Sequence, residues 1–317
     1  MQLAVSGASG FIGGNLLRML ASLNIASTGL LRPGSRQPEH HLGINYVRTD
    51  FTNPKTLAAT LSGARSVIHA GGPGLSDIIS GRSSKHEELS PLISACQHAG
   101  VKRLVYLSTL KARDPIHPDS SYSLQVNRDP YACRKRKEEQ ILASHSGDLE
   151  WVIIRAPVVY GPGDRKSLSF FRAAFSGMVP MIAGAEGSFS MIHVNELAKN
   201  LHQAACDALP NGAIVEVGHS EAMSWNQLMR AIRPNPRLSV PIPGSALLFA
   251  GTIADKLSAI SGKPLKLTRD RALDLTRYQW ISHNNHASFP SSFRESFSIH
   301  HGLSQTREWY LNAGWVR

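Results

Sequence analysis

Apolar residues recur along this chain in two rhythms. Short strand-like runs, several of them continuously apolar, predict β-strands at 2–6, 26–32, 44–48, 65–70, 103–107 and 151–155. Between them, apolar positions at helical spacing predict helices at about 11–22, 53–62, 86–99 and 131–145. Strands alternating with helices imply right-handed βαβ units and a parallel sheet. The runs Ser66-Val-Ile-His-Ala70 and Arg103-Leu-Val-Tyr-Leu-Ser108 are apolar on both faces, as expected of strands covered on two sides. The fold class is therefore α/β, a doubly wound parallel sheet.

Past Arg155 the rhythm loosens. Residues 155–165 read as a Pro/Gly-rich loop. A helix at about 194–207, a strand at 213–217 and a helix at 224–232 follow. Pro234, Pro236, Pro241 and Pro243 mark 233–244 as a boundary, and helices near 245–261, 268–276 and 304–313 complete the pattern. The expected division is a dinucleotide-binding core over 1–165 and a smaller, mostly helical substrate-binding part over 166–317. Segments at about 190–220 are expected to return to the core.

Composition narrows the class. The 317 residues are 42% hydrophobic, with a formal net charge of +11, so a sizeable core is available and anionic partners of any kind are favoured. Cys96, Cys133 and Cys206 are odd in number and show no CxxC pair, which fits a reducing, cytoplasmic setting. The 14 histidines include no HExxH spacing, so no metal is expected. The chain opens on a strand-like run with no signal-type segment. Ala246–Ala254, its most apolar late stretch, is too short to span a bilayer. No stable membrane insertion is expected, and a peripheral contact through that stretch stays open.

Chemistry enters at the first turn. Gly7, Gly10 and Gly13 follow the first strand and open a helix, with Phe11 and Ile12 between them. Such a turn lets the backbone approach a pyrophosphate and aims helix N-terminal amides at it, so the core is Rossmann-type. NAD sites place a carboxylate at the end of the second strand. Here Arg32 stands there with Arg36 close by, and a guanidinium suits a 2′-phosphate, favouring NADP(H) over NAD(H).

Downstream, the strand ending at Thr109 is followed by Tyr131 and Lys135. On a helix these last two lie about 40° apart, so they share a face. A nearby ammonium is expected to lower the phenol pKa and let Tyr131 exchange a proton. Taken with "GASGFIG" (7–13), "DFTNP" (50–54), "VIHAGG" (67–72), "GVKRLVYLST" (100–109), "RAPVVYGPGD" (155–164), "FSMIHVNELA" (189–198) and "GLSQTREWYLNAGW" (302–315), the chain resembles the extended short-chain dehydrogenase/reductase superfamily, its epimerase/dehydratase-like branch. The resemblance implies Thr109, Tyr131 and Lys135 as the catalytic set, with Ser108 as a one-residue alternative to Thr109. Lys135 would also bond the nicotinamide ribose. Asp50 and Phe51 would border the adenine, Ala70 and Gly71 would pass beside the cofactor, and Pro157 and Val159 would border the nicotinamide.

Several positions depart from the pattern. The family's usual Asn-x-x-Gly-Thr is missing from the helix before Gly100, which puts the 72–88 loop and the substrate wall beside it in question. Arg134 replaces the usual serine before the lysine. Leu110-Lys111 replaces the acidic pair of sugar-nucleotide dehydratases, so an eliminating enzyme is disfavoured.

The leading expectation is an NADP(H)-dependent carbonyl reductase or alcohol dehydrogenase. Its substrate would be a small-to-medium, partly apolar carbonyl or alcohol, with Phe170, Phe171, Phe189 and Met191 lining the pocket. One alternative is a nucleotide-sugar epimerase or reductase whose diphosphate meets Lys111, Arg113, Arg165 and Lys166. Another is a non-catalytic NADP-binding or nucleic-acid-binding protein, although no aromatic–basic interleaving supports nucleic acid. His69 and His193 read as structural, Cys133 as a packing residue, and Arg136 and Lys137 as solvent-facing, with Arg134 undecided. Family members often pair as homodimers.

Overall fold

The computed structural model describes residues 2–72, 88–113, 129–145, 147–206, 209–236, 238–261, 265, 267–283, 293 and 297–316. Most of the 72–88 loop lies outside the described residues, as do the first two residues of the helix expected at 86–99.

The first half alternates as its sequence predicts. In chain order come β1 (Leu3–Ser6), α1 (Phe11–Ser22), β2 (Ser27–Leu31), β3 (Ile44–Arg48), α2 (Pro54–Thr60), β4 (Ser66–His69), α3 (Leu89–His98), β5 (Arg103–Thr109), a 3-10 turn (Leu110–Ala112), α4 (Pro130–Ala143) and β6 (Glu150–Ala156). The second half adds β7 (Val158–Tyr160), α5 (Leu168–Phe175), β8 (Met178–Ala183), β9 (Ser188–Phe189), β10 (Met191–His193), α6 (Val194–Ala205) and β11 (Ala213–Glu216). Then follow β12 (Met223–Ser224), α7 (Trp225–Ile232), β13 (Leu238–Pro243), α8 (Gly244–Ser261), α9 (Arg269–Thr276), β14 (Gln279–Trp280) and α10 (Ile299–Asn312).

Seven strands form one parallel sheet in the order β11-β6-β5-β4-β1-β2-β3. The order reverses direction between β1 and β4, and ligands of such sheets bind in the crevice beyond the strand C-termini at that switch. Leu16 and Leu17 of α1 pack with Leu197 and Leu201 of α6 in the core layer that includes β1's Leu3 and Val5. A second core cluster joins Leu57 of α2, Leu92 and Ile93 of α3 and Leu142 of α4 with β1's Ala4 and β5's Leu104 and Tyr106. Both clusters are built from alternate residues of the same strands, which explains why those strands are apolar throughout.

The second half departs from expectation in several places. The 155–165 loop contains β7, which pairs in parallel with β10. Helix α5 and strand β8 were not anticipated. The proline-rich 233–244 segment contains β13, which pairs in parallel with β8. In a two-stranded sheet each strand leaves one edge unpaired, and a proline there costs no ladder bond. Helix α10 begins at Ile299, five residues ahead of the predicted 304, because Ser298 caps it by accepting a bond from the His301 amide.

Phe171, Phe189 and Met191, expected to line a pocket, are taken up by packing among the described residues. They are buried in a third core cluster with Tyr160, Leu303 and Tyr310, with Phe170 packed partly exposed against it. This smaller half has no wide sheet to bury its strands, so its aromatics are needed for its own core.

Candidate active site

The glycine turn is shaped by close contact. Gly7 has φ 74°, and a Cβ built on it would lie 2.8 Å from the Ala70 carbonyl at the end of β4. A Cβ on Gly13 would lie 2.3 Å from the Gly7 carbonyl oxygen. Side chains at either position would push α1 away from the sheet. Gly10 caps α1 without any side-chain hydrogen bond, so the first amides of the helix have no capping oxygen. These features fit a pyrophosphate, the group the turn was expected to hold. Phe11 and Ile12 are half-buried on the first turn of α1.

The crossing from β4 is locked from below. Ser6 Oγ lies 2.7 Å from His69 Nδ1 and accepts a bond from the Gly71 amide at 3.3 Å. His69 is buried and stacks on Tyr106, with ring centroids 5.8 Å apart. Burial first, and the Lys135 ammonium second, pull its pKa down to about 3, so it is a neutral structural residue. Ala70 and Gly71 are half-buried at the edge of the crevice.

At the end of β2, Arg32 donates to buried Glu88 at 2.7 Å. Sequence reading did not weigh this partner, since Glu88 is 56 positions away. Arg36 is exposed close by. Arg48, also missed, braces the loop by donating to the Arg32 and Ser35 carbonyls at 3.2 and 2.9 Å. The Asp50 carboxylate is taken up by the amide and hydroxyl of Thr52, at 2.9 and 2.7 Å. Phe51 is buried in the second core cluster.

Strand β5 delivers two hydroxyls in succession, and they have different fates. Ser108 is buried and donates to Glu139, which is clamped in turn by Arg155 through bonds of 3.0 and 2.6 Å. Thr109, half-buried at the strand's mouth, accepts a bond from the Lys111 amide at 3.3 Å. The next helix starts from Asp129, whose carboxylate accepts from the Tyr131 amide at 2.9 Å, and Pro130 at the first helical position is pre-set for the turn.

Lys135 is buried. It donates to Tyr106 Oη at 2.8 Å and to the Leu107 carbonyl at 3.1 Å, with the Glu138 carboxylate at 3.5 Å. A Cβ on Gly72 would lie 3.9 Å from its ammonium, so Lys135 reaches the segment leaving β4. Tyr106 donates to Glu138, and Arg134 donates to the same carboxylate at 2.9 Å. Arg134 is thereby placed: it holds Glu138. Burial would raise the Glu138 pKa, but Lys135 and the bonds from Tyr106 and Arg134 outweigh it and hold the carboxyl low. Burial lowers the Lys135 pKa, with Glu138 opposing.

The expected lowering of the Tyr131 pKa is not what the geometry gives. Burial, then Glu138 and Asp129, push the phenol up to about 12. The ammonium expected to lower it is turned toward Tyr106 and Glu138. Pro157, just before β7, and Val159, within it, are half-buried.

Other expectations change as well. Cys133 is exposed, so it is not a packing residue. Arg136 does not face solvent freely; it donates to the Ala112 carbonyl at 2.8 Å, while Lys137 is exposed. His193 is fully buried and caps α6 by accepting from the Asn195 amide at 3.3 Å. Lys111 pairs with Asp274 and lies 3.7 Å from Asp129, and Arg113 donates to Glu216 at 2.7 Å. Both cations therefore already serve internal carboxylates. Arg165 lies over the Trp315 ring, and Lys166 is exposed. Among the described residues, no group of histidines, cysteines and carboxylates could hold a metal ion.

Comparison with known proteins adds to this geometry. The family described as NAD(P)H-binding matches residues 7–169. A ceramide reductase of Caulobacter vibrioides is 27% identical over 99% of this chain and 95% of its own. A 2-alkyl-3-oxoalkanoate reductase of Stenotrophomonas maltophilia is 26% identical over 89% of this chain and 91% of its own. A UDP-glucose 4-epimerase from Thermotoga maritima shares the fold, with a TM-score of 0.74 at 17% identity over 99% of both chains.

Proposed function

The chain belongs to the NAD(P)H-binding family, within the extended short-chain dehydrogenase/reductase superfamily, and is an NAD(P)-dependent oxidoreductase; from that premise we propose that it reduces the carbonyl of an apolar, lipid-like substrate with NADPH, or oxidises the matching alcohol. One observation carries the proposal. Thr109 ends β5, Tyr131 stands on the first turn of α4, and the Lys135 ammonium would lie 3.9 Å from a Cβ on Gly72, just past β4, so all three belong to segments at the C-terminal ends of neighbouring strands, where such sheets bind their ligands.

In this reading the backbone of 7–13 and the first amides of α1 hold the pyrophosphate. Ala70, Gly71, Pro157 and Val159 border the rest of the dinucleotide, and Asp50 stands near its adenosine end. Arg32 and Arg36 supply charge for a 2′-phosphate, which Arg32 meets in competition with Glu88. NADPH, when bound, supplies the hydride. Tyr131 gives its proton to the carbonyl oxygen, and the raised phenol pKa keeps that proton in place at neutral pH. The Thr109 hydroxyl donates to the same oxygen and holds it in register. Lys135, bonded to Tyr106 and to the Leu107 carbonyl and placed beside Gly72, would hold the nicotinamide ribose.

An apolar substrate is supported by the relatives, named for a ceramide and for a 2-alkyl-3-oxoalkanoate. It is also supported by Lys111 and Arg113, since cations held by Asp274 and Glu216 are poorly placed to serve a sugar-nucleotide diphosphate. The test is NADPH oxidation against a panel of long-chain 3-oxo compounds, short ketones and UDP-sugars. Turnover confined to the long-chain compounds, and faster with NADPH than NADH, is expected. Turnover only with UDP-sugars would overturn the substrate reading.

A further inference from the structure

Helix α8 carries an apolar stripe that nothing among the described residues covers. Phe249 is 69% exposed, Ile253 42%, Leu257 52% and Ile260 84%. At 100° per residue these four fall within about 80° of one another, on a single face. The opposite side is used internally: Ala254 is buried, and a Cβ on Gly251 would lie 2.8 Å from the Thr268 carbonyl, so α8 lies tight against the start of α9. Large exposed apolar patches on a folded protein mark interaction surfaces.

The two charges of α8 are sorted between these faces. Lys256 falls about 20° from Phe249 and about 40° from Ile260, along one edge of the stripe, and is exposed. Asp255 turns the other way and accepts a bond from the Arg269 amide at 3.0 Å. The face is therefore apolar with a cation along one edge and no carboxylate of its own helix. Lysine in such a setting lays its methylene stem on the apolar surface and extends its ammonium to a polar layer. An anionic bilayer surface offers both parts, acyl chains below and phosphates above. A second copy of this chain offers no anionic layer: a symmetric pairing of α8 would add two lysines at the rim of an apolar contact, between molecules of net charge +11.

We propose that the α8 stripe docks the protein peripherally on an anionic lipid surface. No described helix is long and apolar enough to cross a membrane, so the contact is a surface one. Docking also suits the proposed substrate. On α9, which α8 packs against, Asp274 holds Lys111, two residues past Thr109, and Lys111 also lies near the α4 cap Asp129. The docked face is thus one helix removed from the mouth of the candidate site. This supply role rests on the catalytic reading above; the docking itself does not.

The test is co-sedimentation of the full chain with two kinds of vesicle, phosphatidylcholine alone and phosphatidylcholine mixed with phosphatidylglycerol. Binding to the mixed vesicles is expected, weaker on phosphatidylcholine alone and weakened by salt. The double variant Phe249→Ser/Ile260→Ser should lower the bound fraction about tenfold or more, and Lys256→Glu should lower it several-fold on the mixed vesicles only. NADPH binding and the thermal unfolding midpoint should be unchanged in both, which verifies folding. Equal sedimentation of wild type and double variant would overturn the proposal. So would absent vesicle binding by a dimer that the double variant makes monomeric, an outcome that assigns the stripe to a second copy. Vesicle binding without turnover of any carbonyl would leave docking standing and overturn the catalytic reading.

Discussion

Replacing Glu138 by glutamine tests how the Tyr131–Lys135 pair is tuned. The carboxylate lies 3.5 Å from the Lys135 ammonium, and both are buried. At an effective dielectric of about 20 their attraction is roughly 5 kcal/mol. Glutamine keeps the shape, a bond to Tyr106 and part of the bond to Arg134, so the net loss should be smaller, about 2–3 kcal/mol of stability. The electrostatic consequence is directional. Glu138 raises the pKa of both Tyr131 and Lys135, so its neutralisation lowers both. The assay is the pH dependence of kcat/KM for NADPH-driven reduction. Its alkaline limb should move down by about one pH unit, the equivalent of about 1.4 kcal/mol. Glu138→Asp should restore part of the shift. A profile that superimposes on wild type, or one lowered equally at all pH values without a shift, would refute the tuning role.

Three further outcomes follow from the same contacts. Glu88→Gln frees Arg32 and should tighten NADPH binding about three- to tenfold while leaving NADH unchanged, measured by nucleotide fluorescence titration. Ser108→Ala should cost about 1 kcal/mol of stability with activity retained, because Glu139 keeps Arg155, whereas Thr109→Ala should lower kcat about a hundredfold with little change in stability. His69 and His193 have pKa values lowered to about 3 and about 4, so below about pH 6.5 the unfolded chain takes up protons that the folded chain refuses. Stability should therefore fall with acidification by up to about 1.4 kcal/mol per pH unit for each histidine, and denaturant midpoints should show a shallower slope for His69→Asn.

The parts of this protein legible in its sequence are those set by local rules. The glycine turn is local because Gly7 and Gly13 meet each other's backbone within one turn. The β1–β6 alternation is local because strands such as β4 and β5 carry apolar side chains on both faces while the helices between them repeat theirs at helical spacing. Asp129-Pro130 starts α4 and so places Tyr131 and Lys135 on one helix, four residues apart. What stayed hidden depends on partners distant in sequence. Glu138 follows a run of four cations, and nothing local shows that it bonds Tyr106, 32 residues earlier, and stands 3.5 Å from the Lys135 ammonium. Arg32 looked free for a phosphate until Glu88 was brought beside it. Strands β8 and β13 were missed because Pro180, Pro241 and Pro243 signal a break, and only their pairing at an edge makes those prolines tolerable.

The central claim is that Tyr131 delivers the proton in a carbonyl reduction run on NADPH. The most direct measurement is single-turnover reduction of a long-chain 3-oxo substrate by wild type and Tyr131→Phe, with NADPH binding titrated in parallel. The account predicts that the phenylalanine variant binds NADPH within about twofold of wild type while its hydride-transfer rate falls about a thousandfold. A variant that transfers hydride at the wild-type rate would contradict it.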